Sequence, residues 1–156
     1  SWVADSTYIP TRAGWLYLAA VEDLYSRRVV GWSMAGHRES RLVVDALELA
    51  VPRRLPGAGL LAHSDRGSQY ASEHYQRLLA KHAIACSMSR RADCWDNAPM
   101  ESFCASLEKE LDHGADFATR GEARAAIVEY LEVFYNTQRR HSSLGYVSPA
   151  EYEQAE

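Results

Sequence analysis

The sequence predicts an α/β fold in which helices cover both faces of a mixed five-stranded sheet. Residues 1–9, 14–22 and 27–35 are rich in β-branched and aromatic residues, as strands are, and the short link DLYS between the last two predicts a hairpin. Beyond residue 40, helical and strand patterns alternate. Consecutive strands favour antiparallel pairing and strand–helix alternation favours parallel crossovers, so the sheet should contain both.

The middle of the chain supplies the remaining strands. Residues 40–51 have the apolar spacing of a helix, which Pro52 is expected to end. Residues 57–64 predict a fourth strand, and a helix over 72–82 opens on a capping Ser72. A short fifth strand is predicted over residues 83–88.

Two helices are predicted after the fifth strand. The first follows a potential capping residue, Asn97, and has an apolar stripe at positions 100, 103, 104, 107 and 111. The second starts with the capping-box spacing of Thr119 and Glu122 and runs to about Tyr135. The residues after it are predicted to be a polar tail.

Length and composition favour one domain that does not enter a membrane. The chain has 156 residues, and its longest apolar stretches are far shorter than a membrane span. Three cysteines without a C-x-x-C pair predict reduced thiols in a cytosolic protein rather than a disulfide framework or a zinc site. The chain begins without Met or a signal-peptide pattern, so we expect a fragment of a longer protein. The net charge of −4 by itself argues against a nucleic-acid binder.

Three acids stand out because of their positions in the predicted elements. Asp5 lies inside an apolar strand, Asp65 follows the fourth strand, and Glu101 lies in the first turns of a helix beside its apolar stripe. If they converge, they need cations between them, and hard oxygen ligands select Mg²⁺ or Mn²⁺. Taken singly, each has another explanation: Asp5 could pair with an arginine, Asp65 could be a turn residue, and Glu101 could complement the helix dipole.

The spacing and the flanking motifs resemble a known family. Thirty-five residues separate Asp65 from Glu101, which resembles the D,D-35-E catalytic core of retroviral integrases and bacterial transposases, with its ribonuclease H-like fold. The closest resemblance is to the insertion-sequence-three family of transposases. It rests on five ordered motifs, WVADSTYI, VEDLYSRRVVGW, HSDRGSQY, DNAPMESF and YNTQRRHSSLGYVSPAEY.

The resemblance implies a function and its partners. Residues 1–156 would form a single integrase-type catalytic core that cleaves DNA strands and transfers them. Asp5, Asp65 and Glu101 would be the catalytic residues and would bind two Mg²⁺ or Mn²⁺ ions. It would act on DNA in the bacterial cytoplasm, associated with the nucleoid, as a homo-oligomer on DNA ends. An N-terminal helix-turn-helix region absent from this chain, or a partner protein, would recognise sequence.

Contacts to DNA are predicted less directly. The family usually carries a basic residue seven positions after the catalytic Glu, where this chain has Glu108, so the neighbouring Lys109 is the candidate instead. The other candidate DNA contacts are arginines and a histidine in polar segments: Arg90, Arg91, Arg139, Arg140 and His141.

Two other functions stay open at this stage. The first is a nuclease of the same fold without strand transfer. The second is a DNA-binding or assembly module with an inactive site, although a pure DNA binder gains nothing from three carboxylates near phosphates.

Overall fold

The fold is a mixed five-stranded sheet, as predicted. The computed structural model describes residues 1–37, 39–54, 59–64, 68–88, 98–111, 116–136, 145 and 147–154. The spatial order of the strands is β3-β2-β1-β4-β5. β1 pairs antiparallel with β2 and parallel with β4, β2 pairs antiparallel with β3, and β4 pairs parallel with β5. The strands are β1 (Trp2–Thr11), β2 (Gly14–Asp23), β3 (Val29–Ala35), β4 (Leu61–Ser64) and β5 (Ala85–Met88).

Six α-helices and one π-helix are found in the described part of the chain. They are α1 (Ser40–Arg54), α2 (Ser68–Ala71), α3 (Glu73–Lys81), α4 (Ala98–Leu111), α5 (Arg120–Glu129), the π-helix (Tyr130–Tyr135) and α6 (Pro149–Gln154). The Ser72 cap is confirmed, since its hydroxyl accepts the Tyr75 N–H. The Thr119 cap is confirmed in the same way by the Glu122 N–H.

Helices cover both faces of the sheet because the strands alternate between two buried cores. One core joins α1 and α3 to Trp2 and Ala4 of β1. The other joins α4, α5 and the π-helix to Val3 and Ile9 of the same strand. Since successive strand residues point to opposite faces, β1 contributes to both cores at once. The prediction of helices on both faces is confirmed.

The first helix is longer than predicted, because Pro52 lies inside α1 rather than ending it. Proline removes one helical hydrogen bond but permits helical φ, so contacts of the following residues can hold the last turn. The Arg53 guanidinium lies 4.9 Å from the Trp32 ring centroid. The Arg54 guanidinium reaches Asp23 of β2 at 2.8 Å. Contacts with the sheet therefore outweigh the tendency of Pro52 to end the helix.

Two strands start later than predicted. β4 begins at Leu61 instead of residue 57, and β5 begins at Ala85 instead of residue 83. Gly59 has φ +96° and Ala83 has φ +54°, both in the left-handed region. Positive φ takes the chain out of the extended conformation at these residues, and both strands begin two residues after them.

The expected polar tail contains a docked helix, which corrects the prediction. The Ser148 hydroxyl, fully buried, accepts the Glu151 N–H at the start of α6. Asn136, after the π-helix, accepts the Val29 N–H at 2.9 Å and donates to the Val29 carbonyl at 3.0 Å. Its own carbonyl accepts the Ala150 N–H. Asn136 thus joins β3, the π-helix and α6.

A part-buried ion-pair network fixes α6 to the sheet. Glu153 of α6 bonds to Arg54 of α1 and to Arg28 before β3, and Arg54 also bonds to Asp23. Burial opposes ionisation of Glu153, but hydrogen bonds from Arg54, Ser26 and Arg28 outweigh it and lower the pKa of Glu153. The network is therefore charged at neutral pH.

We expect Arg54→Met to lower the free energy of unfolding by about 1–3 kcal/mol at neutral pH, because two carboxylates lose a charged donor. Urea denaturation measures it. The matched control is Arg41→Met, whose solvent-exposed pair with Asp45 on the same helix should be worth less than about 1 kcal/mol. The Arg54 effect should shrink as the pH falls below the ordinary Glu value of 4.5, where Glu153 becomes protonated. An equal loss in both variants would contradict this assignment.

Candidate active site

Asp5 lies on β1, on the face that carries α4. Its side chain alternates with Trp2 and Ala4 of one core and shares a face with Val3 and Ile9 of the other. Asp5 is partly buried, and its Oδ1 accepts the Ser6 N–H at 2.8 Å. This bond holds the carboxylate against its own strand.

The second predicted acid follows the end of β4. β4 pairs with β1 in the register Trp2 with Ala62 and Val3 with His63, and it ends at Ser64. Asp65 lies outside the described residues. The described pairing therefore stops two residues short of Asp5, and β1 continues well beyond the end of β4.

The third predicted acid lies on a helix that packs beside Asp5. Phe103 and Leu107 of α4 are buried in the core that contains Val3 and Ile9. Glu101 lies on α4, two positions before Phe103, and the structure describes its backbone but not its side chain. Asp5 and α4 are therefore brought to one face of the sheet.

The predicted DNA contacts fall mostly outside the described residues. Lys109 lies near the end of α4 and is exposed, so its side chain is accessible to a ligand in solvent. For Glu108 the backbone alone is described. The remaining candidates, which all lie outside the described residues, are Arg90, Arg91, Arg139, Arg140 and His141.

Sequence reasoning missed a buried carboxyl group on the same face of the sheet. Glu22 of β2 is opposite Val3 and is 1% exposed. Its Oε1 accepts a long hydrogen bond of 3.4 Å from the Tyr135 hydroxyl, and Oε2 has no hydrogen-bond partner within the described chain. Burial raises the pKa of Glu22 to about 8, which Arg27 and the Tyr135 hydroxyl only partly offset. The alternation of side chains along β2 could have revealed this acid, because it places Glu22 on the same buried face as Leu18.

Family comparison agrees with the topology and with the motifs. A model described as "Integrase core domain" matches residues 1–94, and a second with the same description matches residues 82–149. The chain belongs to the integrase core domain family. The resemblance inferred from the sequence motifs is confirmed.

Bacterial transposases are relatives of this integrase core chain. The transposase for insertion sequence element IS904 of Lactococcus lactis is 47% identical over 152 residues, which are 97% of this chain and 60% of the relative. The transposase InsF for insertion sequence IS3A of Escherichia coli K12 is 46% identical over 152 residues, again 97% of this chain and 53% of the relative. The chain thus spans little more than half the length of these curated relatives.

Solved structures share the fold of this integrase core. The catalytic core domain of HTLV-2 integrase in complex with magnesium, in its trimeric form, superposes with a TM-score of 0.69 at 16% identity, over 97% of this chain and 93% of that chain. The catalytic core domain of BIV integrase gives a TM-score of 0.69 at 16% identity, over 99% and 93% of the two chains. The ribonuclease H-like fold predicted from the motifs is confirmed.

The described residues contain neither a membrane-spanning helix nor a complete cluster of metal-binding side chains. No described helix is both long and apolar enough to cross a membrane. No group of three or more His, Cys, Asp or Glu side chains that could hold a metal ion occurs among the residues described, a set that excludes Asp65 and the side chain of Glu101.

We expect Glu22→Gln to remove a loss of stability that develops as the pH rises from 4.5 to about 8. The folded state keeps Glu22 protonated up to about pH 8, whereas the unfolded chain ionises it near 4.5. The stability that depends on Glu22 is therefore complete below 4.5 and is lost as the pH rises towards 8. Urea midpoints of both proteins at about pH 5 and about pH 8 measure the effect. The variant should gain relative to the unsubstituted chain at the higher pH, and a constant difference would contradict the buried neutral state.

Proposed function

We propose that this chain is the catalytic core of a bacterial transposase that cleaves DNA strands and joins the freed 3′-hydroxyl to another strand. The observation that carries the proposal is the placement of Asp5 on the sheet face covered by α4, the helix that contains Glu101. Similarity to the transposases for IS904 and IS3A supports the same activity. Both acids lie in motifs that resemble those of the family.

The register of β1 and β4 supports including Asp65 in the site. Val3 lies beside His63 in this parallel pair. Continuing both strands by two residues leads from Val3 to Asp5 and from His63 to Asp65. We propose that the register continues in this way, which would bring two carboxylates together on one face of the sheet.

The donor set fits a hard divalent cation. Asp5, Asp65 and Glu101 offer carboxylate oxygens alone, which suit Mg²⁺ or Mn²⁺ and not the softer metals that prefer thiolate or imidazole. When bound, a pair of such ions supplies activation of a water or 3′-hydroxyl and charge stabilisation at the leaving oxygen of a phosphodiester. Magnesium accompanies the HTLV-2 integrase core of the same fold.

The elements that carry the acids hold their carboxylates in fixed positions. A strand fixes a ligand more rigidly than a loop does, and Asp5 is further restrained by the Ser6 N–H. α4 is anchored by the burial of Phe103 and Leu107, so Glu101 belongs to a helix that cannot slide without disrupting the core.

Further partners follow from the proposed reaction. The chain would act as a homo-oligomer on paired element ends and target DNA in the bacterial cytoplasm. Sequence recognition would belong to a helix-turn-helix region elsewhere in the full protein, or to a partner. The partial coverage of the relatives leaves room for such a region in their chains.

We expect Asp5→Asn in the full-length protein to lower Mn²⁺-dependent strand cleavage by more than about 100-fold, because loss of even a supporting group around a metal costs 10- to 100-fold. The matched control is Asp45→Asn, a partly exposed acid of α1 paired with Arg41, which should retain cleavage. Anomalous scattering from a Mn²⁺-soaked crystal should locate the metal at Asp5, Asp65 and Glu101. Unchanged cleavage by Asp5→Asn would refute the site.

A separate assay with pre-cleaved ends distinguishes transfer from hydrolysis. Joined products are expected for the unsubstituted protein and would exclude a nuclease that only hydrolyses. Metal-dependent cleavage without joining would replace the proposed transposase by that nuclease.

We expect Glu108→Lys to strengthen DNA binding, because it restores a basic residue where the family usually has one and removes a negative charge near phosphates. Removing a repulsive charge and adding one phosphate contact should steepen the slope of log K against log salt by about 0.9. Fluorescence anisotropy over a salt series measures both affinity and slope. If Lys109 already makes the contact, Lys109→Ala should weaken binding in the same assay. An unchanged slope in Glu108→Lys would place this position away from DNA.

A further inference from the structure

The buried acid Glu22 lies beside Asp5 on the same face of the sheet. Asp5 pairs with Ala20 of β2, and Glu22 is two residues further along that strand, opposite Val3. Since side chains alternate along a strand, Glu22 and Asp5 point to one face, where diagonal neighbours are about 7–8 Å apart. Glu22 is 1% exposed. A buried carboxyl group that the proposed mechanism does not use thus adjoins the proposed metal site.

Burial of the Glu22 carboxyl is costly, and Tyr135 is the described side chain that offsets part of the cost. The Tyr135 hydroxyl, itself buried, donates to Oε1 at 3.4 Å. Within the described chain Oε2 has no hydrogen-bond partner. Burial raises the pKa of Glu22 to about 8, so the carboxyl is mainly protonated at neutral pH. An apolar side chain would avoid this cost, which favours a role for Glu22 other than stabilising the core.

Tyr135 connects Glu22 to the helix that carries Glu101. Its ring centroid lies 5.1 Å from that of Phe103, and the two rings meet edge to face at 82°. Phe103 is 1% exposed and lies on α4, two positions after Glu101. A hydroxyl held by Glu22 restricts the Tyr135 ring, and that ring in turn limits where Phe103 can pack.

The main chain at Tyr135 is held from the other side. Tyr135 is the last residue of the π-helix, and Asn136 after it bonds to the N–H and the carbonyl of Val29 in β3. Turns of π-helix occur frequently at functional sites, where they change the direction of the side chains that follow. Here consecutive residues reach two different strands, Tyr135 to β2 and Asn136 to β3. Tyr135 is therefore a fixed support for α4.

We propose that Glu22 and Tyr135 are positioning residues for Glu101, acting through Phe103 and the rest of α4. This inference rests on the proposed function, because it takes Glu101 as a metal ligand. Neither Glu22 nor Tyr135 would touch the metal or DNA. Their hydrogen bond holds the Tyr135 ring, the ring holds Phe103, and Phe103 sets how α4 lies on the sheet beside Asp5.

The first test is the Mn²⁺ affinity of the full-length protein at neutral pH, measured from the electron paramagnetic resonance signal of free Mn²⁺. Tyr135→Phe removes the hydroxyl and keeps the ring, and it should weaken Mn²⁺ binding between about twofold and 30-fold. Glu22→Leu should weaken binding in the same direction, whereas Glu22→Gln keeps an acceptor for Tyr135 and should retain the affinity. The matched control is Tyr75→Phe, which removes a buried hydroxyl from the core on the other face and should leave Mn²⁺ binding unchanged.

A double-mutant cycle with Glu101→Gln separates positioning from a general loosening of the fold. If Tyr135 acts on the metal through Glu101, Tyr135→Phe should cause no further loss of affinity once Glu101 is substituted. An equal loss in both backgrounds would overturn the proposal, and so would a loss in Tyr135→Phe no larger than in Tyr75→Phe. Thermal unfolding checks that each variant is folded.

The Mn²⁺ concentration that gives half-maximal strand cleavage is a second readout, which also covers a metal that binds only together with DNA. It should rise in Tyr135→Phe and Glu22→Leu and return to the original value in Glu22→Gln. Loss of cleavage in Asp5→Asn with an unchanged Mn²⁺ requirement in Tyr135→Phe would overturn the positioning role alone. Unchanged cleavage in Asp5→Asn would instead overturn the metal site on which that role depends.

Discussion

The structure depends above all on β1, which is paired on both sides and buried on both faces. A strand in that position must be apolar almost throughout, because each side chain enters one core or the other. Trp2, Val3 and Ala4 are apolar and buried, and they lie in the part of β1 next to β4. Asp5 comes at the point where the described pairing with β4 has ended. Asp5 is accordingly only partly buried, whereas the three strand residues before it are fully buried.

The two ends of the sheet differ in how far side chains connect the strands to other segments. At the end with the β2–β3 turn, Asn136 and the Arg54 network join distant segments through side-chain hydrogen bonds and ion pairs. At the other end, β1 and β2 extend past β4 as a hairpin that holds Tyr8 and Trp15 in the open.

Sequence patterns predicted those strands and helix starts that depend on interactions between residues close in the chain. Alternation identified β1 and β2, and capping residues identified the starts of α3 and α5. The start of α6 was available in the same way, since Ser148 and Glu151 have capping-box spacing around Pro149 at the first helical position. The π-helix and the passage of α1 through Pro52 depend on packing against distant residues, which no window of sequence contains. Of the three acids, Asp5 could be chosen from its apolar surroundings, whereas the other two needed a spacing known from a family.

Net charge is a poor guide to the ligand class of a protein because it counts charges that neutralise one another. Asp23 and Glu153 are paired with Arg54, and Arg28 also pairs with Glu153, so this acidic and basic cluster projects little field. A phosphate near the hairpin tip would respond to the charges beside it, and there Arg120 bonds to a carbonyl group, which does not cancel its charge. A net charge of −4 therefore does not exclude an anionic ligand, because the field at a binding site is set by unpaired charges within about 10 Å and not by the sum over the molecule.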